Sequence, residues 1–238
     1  MLIGIIGNMG SGKTLGAVYL GWRQHNYKEI KLYSNIHLYG LPYYYVDSIP
    51  DIDAIHDGFF LADELWVWIG ALTFGVGSKV KKKFAGDILM KSRKRGLIIA
   101  YTSQTMDQID PRIRRVTDFY ATPVLLPNNI LCRLMLFRGS SRIKMENYLR
   151  TFRFNPFPLF EMFNTNEEIP PLKARDMVCN DCSFEFEEPE IIRDKLDSVV
   201  LSEKVVCPRC KGENIGNCEM KLINEPLEKN PVINMKVQ

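Results

Sequence analysis

No apolar run in this chain reaches the roughly 18 to 20 residues that a membrane-crossing helix needs. The most apolar late stretch, residues 120–137, is broken by Pro123, Pro127, two asparagines and Arg133. The amino terminus lacks the basic start and small-residue cleavage site of a secretory signal. A membrane anchor and export are therefore not expected, and the expected location is the cytoplasm, the host's if the chain is viral. Strong charge of one sign is also missing: 31 Lys+Arg against 28 Asp+Glu leave a net +3, which alone selects no partner. Disorder is excluded, because 46% hydrophobic residues in 238 suffice for a full core, as one large domain with an appendage or two modest domains.

The small net charge hides an asymmetry. Residues 1–175 carry 23 Lys/Arg against 15 Asp/Glu, and residues 176–238 carry 8 against 13. A basic amino-terminal part fits a polyanion such as nucleic acid, although a domain of this size carries such an excess without one as well.

The most informative motif is Gly7-Asn8-Met9-Gly10-Ser11-Gly12-Lys13-Thr14, which follows the apolar Leu2–Ile6. The spacing is that of a phosphate-binding P-loop (Walker A). Glycines let successive N–H groups point into one concavity, and the helix starting near Gly12 adds its positive dipole end. Lys13 is expected to reach the β/γ-phosphates, and Thr14 to offer a hydroxyl to Mg²⁺. A ligand-free glycine turn is the weaker reading of a Lys-Thr placed directly after a buried strand.

Around it the pattern predicts a strand at 2–6, a helix at 13–24, a short strand at 30–33 and a buried strand at 58–62. A helix at 84–94 and a buried strand at 97–102 follow. Strands separated by helical or long crossovers imply a mainly parallel α/β sheet with its ligand at the carboxyl ends of the strands. Residues 119–155 read as extra strands, with turns near Pro127-Asn128-Asn129 and Gly139-Ser140-Ser141. Residues 154–171 read as irregular chain packed on the domain.

The strand at 58–62 ends in Asp63-Glu64. Asp63 is expected to hold Mg²⁺ together with Thr14, and Glu64 to polarise an attacking water, which argues for hydrolysis; no lid or acceptor pocket of a nucleotide kinase is apparent. Ser103-Gln104 ends the next buried strand, where Gln104 can sense the γ-phosphate or position water. Charge on that phosphate calls for an arginine supplied in cis or by a neighbouring subunit. Arg95 and Arg112 are the candidates, against capping or solvated-face roles. Trp66 and Trp68 read as core. Residues 79–95 hold eight Lys/Arg and one acid; Lys79, Lys81, Lys82 and Lys83 form either a loop contacting DNA phosphates or a solvated basic surface.

Four of six cysteines form Cys179-x2-Cys182 and Cys207-x2-Cys210. Paired CxxC knuckles hold tetrahedral Zn²⁺, and the 24 residues between them can form a hairpin. Two disulfides or four unrelated thiols are the alternative, disfavoured by the cytosolic character of the rest. Cys132 reads as a core thiol, and Cys218 as a spare thiol or an alternative ligand.

Together the P-loop, Ser34-Asn35-Ile36-His37-Leu38, Asp63-Glu64 followed by tryptophans, the run from Lys94 to Gln104, Gln108-Ile109-Asp110-x-Arg112-x-Arg114, and Phe163-Asn164-Thr165-Asn166-Glu167 occur in an order that resembles the Zot-like ATPases and viral genome-packaging ATPases of the FtsK/HerA superfamily. The likeness covers about residues 1–170. It implies an ASCE-type α/β core, ATP and Mg²⁺ as cofactors, and a homo-oligomeric ring that moves double-stranded DNA, with Lys13, Thr14, Asp63, Glu64 and Gln104 in the roles argued above. Filamentous-phage Zot proteins usually carry a membrane segment. Its absence here turns the expectation towards packaging into a capsid, in an archaeal virus or related mobile element. The expected organisation is an ATPase domain at 1–170 and an acidic zinc-ribbon module with tail at 171–238, suited to docking a capsid or portal protein. Two competitors remain: an ATP-switched assembly or secretion factor acting on proteins, and a helicase-like replication accessory.

Overall fold

The computed structural model describes residues 1–48, 51, 54–69, 92–126, 130–139, 143–170, 172, 177–186, 190–196, 199–217, 220 and 222–226. Its first half is organised by short strands whose residues are buried on both faces. β1 (Leu2–Ile6) and β4 (Gly58–Ala62) are buried at every position, and β5 (Ile98–Ser103) at all but the first. Strands of this kind are stable as inner members of a parallel sheet. With β2 (Lys31–Ser34), β3 (Tyr43–Tyr45) and β6 (Phe119–Leu125) they form the parallel series β3-β2-β4-β5-β1-β6.

Antiparallel strands finish both edges. β7 (Cys132–Arg138) and β8 (Tyr148–Phe154) continue from β6, and at the far edge β14 (Leu222–Ile223) pairs with β3, giving nine strands. The expected α/β architecture with a large, mostly parallel sheet is what forms. The turns expected at 127–129 and 140–141 lie outside the described residues, while the strands they would join do pair.

α1 (Lys13–Lys28) runs one turn beyond the expected end at residue 24 and stops at Glu29, whose left-handed backbone donates its N–H to His25 O. Leu15 to Trp22 are buried without interruption. The helix packs on the sheet, reaching as far as its edge strand β8, where Tyr19 stacks on Phe154 at 3.9 Å between centroids. α2 (Leu65–Ile69) carries Trp68, which is 1% exposed and donates its indole N–H to Pro170 O at 2.9 Å. Trp66 packs partly buried against the same core, so both tryptophans are core residues.

The helix expected at 84–94 falls outside the described residues except for 92–94, which belong to a turn. α3 (Pro111–Val116) is started by Asp110, whose carboxylate accepts the Arg112 N–H at 2.8 Å, with Pro111 in the first turn. α4 (Phe157–Phe160) opens the otherwise irregular segment that follows β8. That segment crosses to the loop after β2, where Tyr39 donates to Met162 O and Glu167 accepts from the His37 N–H and lies 2.7 Å from His37 Nδ1. Cys132 is fully buried in the main core, as expected, and burial pushes its thiol up to about 12.

In the carboxyl-terminal part, β9 (Met177–Cys179), β10 (Glu185–Phe186) and β13 (Ile215–Asn217) make a three-stranded sheet. The stretch between the CxxC pairs contains the expected hairpin, β11 (Glu190–Leu196) with β12 (Val199–Val206). No helix among the described residues is long and apolar enough to cross a membrane.

Candidate nucleotide site and cysteine cluster

The loop from Gly7 to Thr14 leaves the carboxyl end of β1 and enters α1. Two glycines allow its path: Gly10 at φ +71° and Gly12 at φ +89° occupy the left-handed region, which costs a side-chain-bearing residue about 1–2 kcal/mol. Gly12 is the N-cap of the 16-residue helix and has no side chain with which to cap its first turn. Asn8, Met9 and Gly10 are exposed, Met9 by 83%. The loop is thus an open cradle of N–H donors at a helix N-terminus, the arrangement that receives phosphate.

Lys13 arches back over the loop, donating from Nζ to Asn8 O at 3.0 Å. Desolvation lowers its pKa, opposed by the nearby charges of Asp63 and Glu64. Thr14 Oγ1 lies 3.1 and 3.0 Å from the two Asp63 carboxylate oxygens. β1 and β4 are not neighbours; β5 separates them, so this contact spans the carboxyl end of β5.

Asp63 is 8% exposed, and among the described residues its carboxylate receives hydroxyl donors alone, Thr14 and Thr102, the latter at 2.7 Å to Oδ1. Burial raises its pKa to about 6 against those hydrogen bonds. An anion held there without a protein cation in contact, beside a threonine hydroxyl, is a hard oxygen donor set of the kind Mg²⁺ accepts. Glu64 follows at φ +45°, a left-handed conformation uncommon outside glycine. Its N–H is held by Thr102 Oγ1 at 2.8 Å.

Two residues of this scaffold, Asn35 and Thr102, had no assigned role. Asn35, fully buried at the end of β2, donates from Nδ2 to Asp63 O at 2.8 Å and accepts the Asp63 N–H on Oδ1 at 2.7 Å. Thr102 uses one hydroxyl to hold both carboxylate residues. The only sequence signal for either was a polar residue where an apolar strand runs out.

Gln104 directly follows β5, beside the loop, where Gly7 N–H donates to Ser103 O at 3.3 Å. Gln108 Oε1 accepts the N–H groups of Gln104 and Thr105 and lies 3.0 Å from Ser103 Oγ, winding the 103–108 turn into one conformation. Arg112 grips Asp110 through Nε and Nη2 at 3.1 and 3.2 Å. Arg95 sits in the turn before β5, its carbonyl accepting the Asp57 N–H. Lys79, Lys81, Lys82 and Lys83 lie outside the described residues.

Cys179, Cys182, Cys207 and Cys210 bring their sulfurs within 4.8 Å of one another. Two separations are 3.5 Å (Cys179 to Cys210) and 3.8 Å (Cys182 to Cys207), no disulfide joins the described cysteines, and the edge of a tetrahedron with Zn–S of about 2.3 Å is about 3.8 Å. Each CxxC is followed by a left-handed residue, Ser183 and Lys211, which turns the chain around the sulfurs. Arg209 and Gly212 direct N–H groups at Cys207 and Cys210 Sγ, both at 3.4 Å. Burial would raise the Cys207 thiol, but the N–H groups of Cys210 and Arg209 bring it down to about 7. The cluster can bind a metal ion as thiolates. Cys218 lies outside the described residues.

No family model and no curated protein sequence matches the chain. Among solved structures it is similar to the N-terminal domain of zonular occludens toxin from Neisseria meningitidis, at 17% identity over 68% of this chain and 98% of that one, with a TM-score of 0.46. It is also similar to the genome packaging NTPase B204 from Sulfolobus turreted icosahedral virus 2 in complex with ATP-gammaS, at 12% identity over 60% and 94%, TM-score 0.40. A third structure is the KaiC-like protein PH0186 from Pyrococcus horikoshii OT3, at 10% identity over 64% and 84%, TM-score 0.35.

Proposed function

We propose that this chain is a Mg²⁺-dependent ATPase that works in an oligomeric ring to move double-stranded DNA, with packaging of a viral genome into a capsid as its task. The observation that carries the reading is the Thr14–Asp63 contact at the mouth of the glycine loop, with Glu64 beside it. In this reading the 7–14 loop binds the phosphates through Lys13 and its remaining N–H groups, those of Gly7 and Ser11 being bonded to Ser103 O and Asn8 O, and Thr14 and Asp63 would hold Mg²⁺, which would supply charge neutralisation at the phosphates. Glu64 accepts a proton from the attacking water as its oxygen bonds to the γ-phosphorus and the bond to the β-phosphate oxygen breaks. Gln104 senses the γ-phosphate. Arg95 or Arg112 serves as the arginine that acts on a neighbouring subunit's nucleotide. The position of β5 between the P-loop strand and the carboxylate strand supports an ASCE-type core.

The DNA half of the proposal rests on the motif order and on the basic amino-terminal part, with Lys79, Lys81, Lys82 and Lys83 as phosphate contacts. Residues 1–170 form the body of the motor, β14 returns to the edge of its sheet, and the chain between them is a module in which Cys179, Cys182, Cys207 and Cys210 would hold Zn²⁺. The acidic balance of that module favours docking of a capsid or portal protein over DNA contact, and it also keeps the second reading, an ATP-switched assembly factor acting on proteins, in play. Displacement of a third strand from a triplex-bearing duplex, driven by ATP, tests translocation. Displacement supports the motor, and ATP turnover without displacement supports the switch.

A further inference from the structure

The carboxyl half of α1 and the edge strand β8 enclose a cavity of about 400 Å³, lined by Leu20, Arg23, Gln24, Tyr27, Lys28, Arg150 and Phe152. It lies about 15 Å along the helix from Lys13. Its lining includes three cations and no acid. Arg23 and Arg150 both stack on one ring, their Cζ atoms 5.1 and 4.4 Å from the Phe152 centroid. A cation on an aromatic face is attracted to the ring without using up its N–H donors, and arginine binds phosphate through such donors.

Two like charges on one ring repel, and neither forms an ion pair with a carboxylate among the described residues. Lys28 is equally without one, although the helix carboxyl terminus it occupies favours a cation. The same edge carries a second like-charged pair on the opposite face, Arg133 directly across from Arg153 in the β7–β8 register, with no ion pair to either among the described residues. Like charges placed so are destabilising unless an anion joins them. Gln24 Oε1 is buried in this region without a partner, and turning the amide presents Nε2 there as a donor.

We infer that this cavity, with the edge of β8, is a binding site for the phosphodiester backbone of duplex DNA, built by Arg23, Lys28 and Arg150. The inference deepens the DNA-motor reading and rests on it for the identity of the polymer. It places a contact on the helix that starts at the P-loop, in addition to the proposed 79–83 lysines.

The test is binding of a labelled 30-base-pair duplex to the full chain, followed by fluorescence anisotropy over a series of salt concentrations without nucleotide. The double variant Arg23→Gln/Arg150→Gln binds at least about 10-fold more weakly, and its slope of log affinity against log salt flattens by about 1.8, two phosphate contacts. Its DNA-free ATP turnover and melting temperature match the parent. Arg150→Lys, which keeps the charge and loses the fork, falls between. Lys28→Gln, an exposed change that cannot disturb the core, flattens the slope by about 0.9. Parental affinity and slope in the double variant and in Lys28→Gln overturn the inference alone, leaving the motor reading intact. A parent chain that binds no duplex overturns both this site and the DNA half of the proposed function, while its ATP turnover is judged separately.

Discussion

Asn35 and Asp63 clasp each other through the backbone: one side-chain amide satisfies both the N–H and the carbonyl of the residue that carries the site's buried carboxylate. The clasp joins the end of β2 to the end of β4, and Thr102 adds β5 from the other side through the Asp63 carboxylate and the Glu64 N–H. Neighbouring strands of one parallel sheet thus fix the direction of two acids at its carboxyl end. Such positioning is what a carboxylate pair needs to meet a cation and a water in fixed places.

Asn35→Ala leaves two backbone groups of Asp63 buried and unpaired. We expect a loss of about 2–4 kcal/mol of stability. Turnover should fall at least about 10-fold with a smaller change in KM, because Asn35 touches no bound group. Chemical denaturation and a kcat against KM comparison check both parts. A KM-only defect would remove the positioning role.

The raised pKa of Asp63 has a definite sign. The folded state holds its proton more tightly than the unfolded chain, so this contribution to stability is present below the ordinary value of 3.8 and is lost as pH rises towards about 6. Above that the nucleotide-free fold carries the buried anion at a cost of about 3 kcal/mol. Asp63→Asn should therefore melt higher than the parent at pH 8, with the gap closing near pH 4, while it loses Mg²⁺-dependent turnover. Equal melting temperatures at pH 8 would contradict this account of the site.

Gly12→Ala tests the loop. A methyl group there meets Leu15 and Cys132 only at ordinary contact distances, 3.7 and 3.8 Å, so the strain comes from φ alone. The expected cost is about 1–2 kcal/mol, together with loss of nucleotide affinity as the cradle rearranges. Binding of a fluorescent ATP analogue and a melting curve measure the two effects.

The strands that build the site were legible because buried parallel strands read as unbroken apolar runs, and the candidate site motifs stand where those runs end: Gly7 after Ile6, Asp63 after Ala62, Gln104 after Ser103. The last turn of α1 was not, since Arg23 to Lys28 are polar and the helix ends on Glu29 rather than a glycine. β3 and β14 have three and two residues, too few for a period, and Leu222 pairs with Tyr44 across most of the chain. Asp110-Pro111 is a helix-start signal, and α3 begins there. The Asn35 clasp had no local signature, because its partner is 28 positions away.

Removal of metal from the cysteine cluster should release about one equivalent of Zn²⁺ on mercurial treatment, detected with a chromogenic chelator, and Cys207→Ser should lower that yield sharply. The parent's basal ATP turnover should survive both, since the cluster supplies no group to the nucleotide site. Absence of bound metal in protein purified under reducing conditions would contradict the zinc assignment.

The most direct measurement is steady-state ATP hydrolysis by the purified chain with Mg²⁺, with and without double-stranded DNA, using Glu64→Gln as the blank. The account predicts turnover that needs Mg²⁺, rises with DNA, weakens with salt and vanishes in Glu64→Gln. Turnover that persists in Glu64→Gln would contradict the assignment of the acid pair, and turnover indifferent to DNA in the oligomer would contradict the motor.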